Sequence, residues 1–466
     1  MKGVMSTTKV KAREKFLELG LGLPEIYLPV EKLDHQAWAV VACDQYSSER
    51  EYWEKVAGLV GSNPSTLNMI YPECYLEDGD KAERIARIQS SMGNYLARGY
   101  LETPGEGFIL VERTTPYEKK PRIGLVVSVD LEKYQYGKDS KSLIRPTEGT
   151  IVERLPPRME IRRGAPLELP HIMILMDDPS RSVIEPLYEK RAYLKKLYNF
   201  DLMAGSGHLR GWFVKDEASL ETIVSTLGRL ADPEIFRAKY GIDDVLLFAV
   251  GDGNHSLATA KATWEEVKAS FSGKPEAEAA ESLALHPARF ALVELLNIYD
   301  EGLPFHPIHR VLFNVDRKEL FAALAKAGAR ISTMPGSREA FGACDLPDPD
   351  GGHRIAWTDG QGSGLIIFDR PVAKLASGSL QEVLDVYLEN HPATTIDYIH
   401  GSGSLEALAS RPGNLGLYLP PVDKGSFFAT VIQNGVMPRK TFSMGEAPEK
   451  RFYMEARKIV PRTRGG

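Results

Sequence analysis

A fully apolar run, Val245-Leu-Leu-Phe-Ala-Val250, meets Gly251-Asp-Gly-Asn-His-Ser256 and then a helical pattern from Leu257 to Phe271. This is the order of a buried strand, a glycine loop and a helix, and strand-like runs alternate with amphipathic stretches along all 466 residues. Such alternation excludes an all-helical or an all-β chain and predicts an α+β, mixed-sheet protein. At roughly 100–200 residues per domain the length implies more than one domain. Three are expected: an N-terminal α/β domain over 1–144, a central domain with the glycine loop over 145–335, and a C-terminal α/β unit over 336–466 that begins shortly before the turn-rich Asp345-Leu-Pro-Asp-Pro-Asp-Gly-Gly352.

Individual elements follow from pattern. Trp38–Ala42 reads as a buried strand, and Lys81–Tyr100 as a helix with Ile85, Ile88, Met92 and Leu96 on one face. Phe108–Glu112 and Ile123–Leu131 flank a turn sequence and predict a hairpin. Arg145–Thr150 is rich in breakers and predicts a loop, and Leu155-Pro-Pro157 is expected to stop any helix near it. His171–Met176 and Leu209–Val214 predict strands, and Glu185–Tyr198 a helix.

Composition narrows the functional classes. Lys and Arg total 57 against 63 Asp and Glu, a formal charge of -6, so no basic excess points to a nucleic-acid partner. The three cysteines, Cys43, Cys74 and Cys344, form no C-x-x-C pair, which argues against a disulfide framework or a zinc site and makes a reducing cytoplasm the expected compartment. No segment approaches the ~20 apolar residues that span a bilayer, and Met1–Glu14 has no apolar signal core, so neither membrane insertion nor secretion is expected. The expected partner is a small-molecule substrate, and composition leaves the oligomeric state open.

The glycine loop is the first candidate site. The first N–H groups of a helix lack intrahelical partners and carry about half a positive charge behind them. Gly251 and Gly253 permit a left-handed backbone and close approach of a phosphate, and Asn254, His255 and Ser256 offer further donors. Asp252 suits a Mg²⁺ ligand or a general base, since alone it would repel the anion. The competing reading is that Asp, Asn and Ser only cap the helix. The loop lacks the third glycine of the dinucleotide motif and has no G-K-[ST], so neither fingerprint applies. Glu148, in a Gly- and Pro-rich loop, is a candidate base for a substrate hydroxyl. His309-Arg310 and Arg439-Lys440 are candidate phosphate-binding cations. His171 and His208 are expected to be structural.

Tyr71-Pro72, Thr147-Glu-Gly-Thr150, Gly251-Asp-Gly-Asn-His255, Pro307-Ile-His-Arg310 and Met437-Pro-Arg-Lys-Thr441, in this order and at these separations, resemble the bacterial and archaeal family known as domain of unknown function 1015. The usual family loop reads Ala-Asp-Gly-His-His-Arg; this chain matches at Asp252, Gly253 and His255 and departs at Asn254 and Ser256, losing a cation. That loop is similar in turn to the phosphate-holding loops of the ParB/sulfiredoxin fold and to the Asp-Gly-His loop of free-serine kinases built on it. The resemblance implies a ParB/sulfiredoxin-like core, Asp252 and His255 at the transferred phosphoryl group, Glu148 as general base, and Arg310, Arg439 or Lys440 in place of the missing arginine. It also implies Mg²⁺ with ATP or ADP as cofactors.

Three functional readings follow. The first is a Mg²⁺-dependent phosphotransferase acting on a small, serine-like hydroxy-amino acid. The second is a phosphate-ester hydrolase at the same loop. The third is a non-catalytic, ligand-binding regulatory protein, with a plain scaffold as its limiting case.

Overall fold

Alternate residues of the longest strands are buried on opposite faces, and that double burial explains why their sequences are nearly continuous in apolar residues. In the computed structural model, which describes residues 7–461 except 138, 372 and 439, Ile109 and Val111 enter one core cluster while Phe108 and Leu110 enter another. The chain is α+β and divides into two compact units, one formed by 1–303 with 445–466 and the other by 304–444.

The first unit is built on a nine-stranded mixed sheet. Its strands are β1 (Leu21–Gly22), β2 (Phe108–Thr114), β3 (Arg122–Asp130), β4 (Ile144–Pro146), β5 (Met173–Met176), β6 (Lys195–Asp201), β7 (His208–Val214), β8 (Phe248–Asp252) and β9 (Phe290–Asn297). Their order is β4-β8-β5-β9-β3-β2-β7-β6, with β1 also paired to β3. The predicted hairpin is present, with Val111 opposite Gly124 and Ile109 opposite Val126. Helix α1 (Lys81–Ala97) buries Ile88 and Met92 as its periodicity predicts. A parallel pair, β4 with β8, sets Pro146 beside Val250 and so brings the Thr147–Thr150 loop to the end of β8.

The second unit carries a seven-stranded sheet of β10 (His306–Phe313), β11 (Ala329–Met334), β12 (His353–Thr358), β13 (Ser363–Phe368), β14 (Thr395–His400), β15 (Leu415–Tyr418) and β16 (Phe442–Ser443). The order is β11-β13-β12-β15-β10-β14, with β16 on β10.

The expected three-domain division is corrected accordingly. The cut at 144/145 falls inside β4, and the cut at 335/336 separates β11 from its antiparallel partner β13. The turn-rich stretch before β12 is a loop within one sheet, because turn chemistry marks a reversal of the chain and does not by itself say whether the sheet continues beyond it.

Four local expectations are also revised. Arg145-Pro146 lies in β4 instead of a loop, since Pro on an outer strand costs no ladder bond. A helix, α2 (Leu155–Arg162), begins at the Leu155-Pro-Pro sequence with its prolines in the first turn, where a missing N–H is harmless. Trp38 ends a short helix, and Ala39–Ala42 are buried without joining a sheet. Their backbone partners are the Thr66 hydroxyl, the Tyr453 hydroxyl on Cys43, and the Arg451–Tyr453 segment. The predicted helix Glu185–Tyr198 stops at Glu189, and the polar stretch after it is the outer strand β6. Charged residues suit such an edge.

In the second unit, β10 is central, which buries His309 at 3% exposure. Its ring stacks on Tyr418 at 4.2 Å between centroids, and its Nδ1 accepts the Leu419 N–H at 3.1 Å. Burial first, then Arg310 and His400, push its pKa down to about 4. The folded form therefore binds fewer protons than the unfolded one between pH 6.5 and 4. This stabilisation is complete above pH 6.5 and is lost as pH falls towards 4, a loss of about 3 kcal/mol. Urea unfolding followed at Trp357 should show that slope in the wild type and a flatter one in His309→Gln.

Candidate active site

Strand β8 ends at Asp252, and Gly253 turns the chain into helix α3 (Asn254–Ala269) with φ 78° and ψ 29°. Only glycine takes that left-handed turn without strain, and a Cβ at 253 would also stand 3.0 Å from the Ile172 Cα. Gly251 lies where the register of β8 with β5 shifts between Val250 and Asp252, and it does not share that left-handed turn. Among the described residues no side chain caps the N-terminus of α3. The capping alternative for Asp252, Asn254 and Ser256 is therefore not what the structure adopts. Gly251, Asp252, Gly253, His255 and Ser256 are half-buried, and Asn254 is buried.

Two of the expected donors are engaged in holding the Glu148 loop. Asn254 Oδ1 accepts the Thr147 N–H at 3.2 Å, and the Thr147 hydroxyl donates to the Val250 carbonyl at 2.6 Å. His255 Nε2 accepts the Ile151 N–H at 3.3 Å, which places the ring proton of neutral His255 on Nδ1. The loop is thus pinned at 147 and 151 onto the first turn of α3, with half-buried Glu148 between the pins. Within it the Thr150 hydroxyl oxygen is shut off from solvent and has no hydrogen-bond partner among the described residues. An orphaned buried hydroxyl costs about 1–3 kcal/mol. Helix α2 supports the loop from behind, packing Leu155 and Met159 on Ala258, and Arg158 of α2 pairs with Glu73 at 3.1 Å.

Asp252 meets a partner that pattern reading missed. Lys450 Nζ lies 2.9 Å from Asp252 Oδ2, and Asp252 Oδ1 accepts the Gly253 N–H at 2.9 Å. Burial works against the carboxylate, but Lys450, His171 and the Gly253 amide outweigh it and hold the Asp252 carboxyl below its usual range. Lys450 is 198 positions away in sequence and reaches the site because 445–466 folds back into the first unit. His171, expected to be structural, precedes the segment that pairs with this corner, since Met173 lies opposite Asp252. His208 is held by Asp201 at 2.6 Å and Asn199 at 3.0 Å, as a structural histidine would be.

The remaining candidates lie elsewhere in the chain. His309 and Arg310 are buried in β10 of the second unit, Arg310 with its guanidinium 5.2 Å from the Tyr398 ring centre. His309 offers no donor at Nδ1, because that atom accepts the Leu419 amide. Lys440 is an exposed residue of the second unit with φ 55°. Arg439 lies outside the described residues. The grouping around α3 is thus made within the first unit, by Glu148, Asp252, His255 and the added Lys450.

One chemistry can be set aside. Burial pushes the thiols of Cys43 and Cys74 up, so neither is a ready thiolate. Among the described residues no group of three or more His, Cys, Asp or Glu is placed to hold a metal ion. Among them, too, no helix is long and apolar enough to cross a membrane.

Solved structures with some likeness to the chain include a conserved hypothetical protein from Pyrococcus furiosus, at 12% identity and TM-score 0.34, covering 72% of this chain and 95% of that one. A free serine kinase variant in complex with AMP matches at 12% identity and TM-score 0.36, covering 72% and 92%, and one in complex with ADP at 11% and 0.35 over the same shares. Likenesses this slight decide nothing about the chemistry of this chain. No curated protein matches it. Residues 27–387 match the family described as protein of unknown function (DUF1015), and the chain belongs to that family.

Proposed function

We propose that the first unit is a phosphate-handling enzyme, a small-molecule phosphotransferase that uses ATP or ADP. The observation that carries this reading is the N-terminus of a 16-residue helix, capped by no side chain among the described residues, with the Asp252–Lys450 pair at its mouth. Helix amides and a lysine stabilise phosphoryl oxygens, and phosphoryl transfer depends mainly on positioning and electrostatics. In this reading the Asn254 and Ser256 amides bind the phosphate, and Lys450 supplies the charge that Ser256 lacks relative to the family loop. Glu148, on its pinned loop, accepts the hydroxyl proton of the substrate. His255 acts through that loop as a positioning residue.

Mg²⁺ fits these residues if it arrives with the nucleotide. It commonly needs one or two protein carboxylates beside substrate phosphates and water, and Asp252 keeps lone pairs beyond those given to Lys450 and Gly253. Bound there, the ion would neutralise phosphate charge. The hydroxy-amino-acid class rests on the similarity of Asp252-Gly-x-His255 to the free-serine-kinase loop. Hydrolysis of a phosphate ester at the same corner is the second reading, favoured by the same Asp252 carboxylate.

Calorimetry with Mg-ADP and Mg-ATP tests the proposal. Binding is expected in the micromolar to millimolar range and should weaken by about tenfold or more in Lys450→Met, since a charged hydrogen bond contributes about 1.5–3 kcal/mol. Assays with a panel of hydroxy-amino acids should then show nucleotide-dependent phosphorylation. Phosphate release without nucleotide would favour the hydrolase. Absence of nucleotide binding would remove the phosphotransferase reading.

A further inference from the structure

A second hydrogen-bonded chain reaches the Asp252 corner through His171. Tyr453 Oη accepts the Cys43 N–H at 3.1 Å and lies 2.8 Å from His171 Nδ1. The phenol proton has two acceptors in reach, the His171 nitrogen at 2.8 Å and the Cys43 thiol, and donation goes to the nitrogen in the arrangement proposed here. Burial, with Cys43 and Asp44, keeps the phenol protonated by raising its pKa well above the ordinary tyrosine value. With the phenol donating to Nδ1, the Nε2 of His171 carries a proton. The Asp44 carboxylate stands 3.9 Å from that Nε2, beyond hydrogen-bond reach. The imidazole and Tyr453 ring centres are 5.7 Å apart with the planes at 85°, a perpendicular contact.

The corner is partly open: side-chain exposure is 12% for His171, 26% for Asp44, 25% for Asp252 and 11% for Lys450. An N–H donor oriented by a buried phenol, in a half-open setting of two carboxylates and one ammonium, suits an oxygen of an incoming ligand. Resting on the phosphate-handling reading, we infer that His171 is a further binding residue of the site, donating its Nε2–H to a phosphoryl oxygen, and that Tyr453 is the positioning residue that fixes its tautomer. The donor works together with Lys450 and replaces part of the cation that the loop lacks at Ser256. Nε2 stays protonated throughout, so the interaction orients the phosphate without transferring a proton.

The tautomer is readable by nitrogen NMR of the full-length protein labelled in its 10 histidines, with His171→Gln for assignment and Mg-ADP and inorganic phosphate as probes. His171 is expected in the Nε2–H form, with its Nε2 resonance shifting on addition of Mg-ADP. Tyr453→Phe is expected to mix the two tautomers and weaken Mg-ADP binding by about tenfold, while thermal unfolding stays cooperative. If that variant fails to fold, the wild-type tautomer and shift still decide. An Nδ1–H tautomer, or an unmoved His171 resonance while calorimetry records Mg-ADP binding, overturns this inference and leaves the proposed function standing. Absence of any Mg-ADP or phosphate binding overturns both.

Discussion

Glu148→Gln should lower kcat for phosphorylation of a hydroxy-amino acid by about 10²–10⁴-fold, the usual contribution of a general base, while Mg-nucleotide affinity stays within about threefold. Gln retains the size and hydrogen-bonding capacity of Glu but cannot take a proton at neutral pH. The loop itself should survive the change, because its anchors are the Thr147 and Ile151 backbone groups and the Thr147 hydroxyl. Steady-state kinetics together with calorimetry separate the two effects. A variant that raises KM with unchanged kcat would make Glu148 a binding residue and move the base elsewhere.

Arg451→Met should lower the stability of the first unit by about 3–5 kcal/mol, the cost of leaving a buried charge without its partner. Arg451 is 3% exposed and spans two carboxylates, Glu294 and Glu455, each 1% exposed. Arg122 Nε lies 3.4 Å from Glu294, and the Tyr198 hydroxyl donates to Glu455. Burial disfavours ionised Glu294, but Arg122 and Arg451 together hold its carboxyl below the usual range. With Arg451 gone, that lowering weakens, and the destabilisation should be largest at pH 8 and shrink towards pH 5, where the carboxylates can take up protons. Urea unfolding followed by tryptophan fluorescence reports it, since Trp38, Trp53, Trp212 and Trp264 lie in the first unit. The double variant Arg451→Met, Glu455→Gln should recover much of the loss, because it leaves Glu294 with Arg122 and no unpaired carboxylate behind. A loss under 1 kcal/mol in the single variant would show that the cluster is relaxed or solvated.

The proximity of these two regions explains a feature of the chain order. Lys450, Arg451, Tyr453 and Glu455 follow one another in the segment that returns from the second unit. Lys450 pairs with Asp252, Tyr453 hydrogen-bonds His171, and Arg451 and Glu455 anchor the segment in the core. Loosening the anchor is therefore expected to damage the site as well as the fold.

What sequence pattern could read follows from burial. The hairpin β2–β3, helix α1 and the passage from β8 into α3 were legible because each buries a regular apolar face. Trp38–Ala42 was legible as buried and not as irregular, since hydropathy registers desolvation and is blind to which group satisfies the backbone. The outer strand β6 was mistaken for helix because an edge buries too little to impose a period of two. Among site residues, the glycine loop and Thr147–Thr150 announced themselves by unusual composition. Lys450 and Tyr453 did not, because their roles arise only from a chain reversal that brings distant residues beside Asp252, and His171 in an apolar setting gave no sign of its tyrosine.

The central claim is that the N-terminus of α3 receives a phosphate. Backbone amide shifts and hydrogen exchange at Asn254 and Ser256, with and without Mg-ADP, test it most directly. The account predicts that both amides shift and become protected on addition of the nucleotide, and that Lys450→Met weakens the effect. Unchanged amides at 254 and 256 under conditions where calorimetry records binding would contradict it.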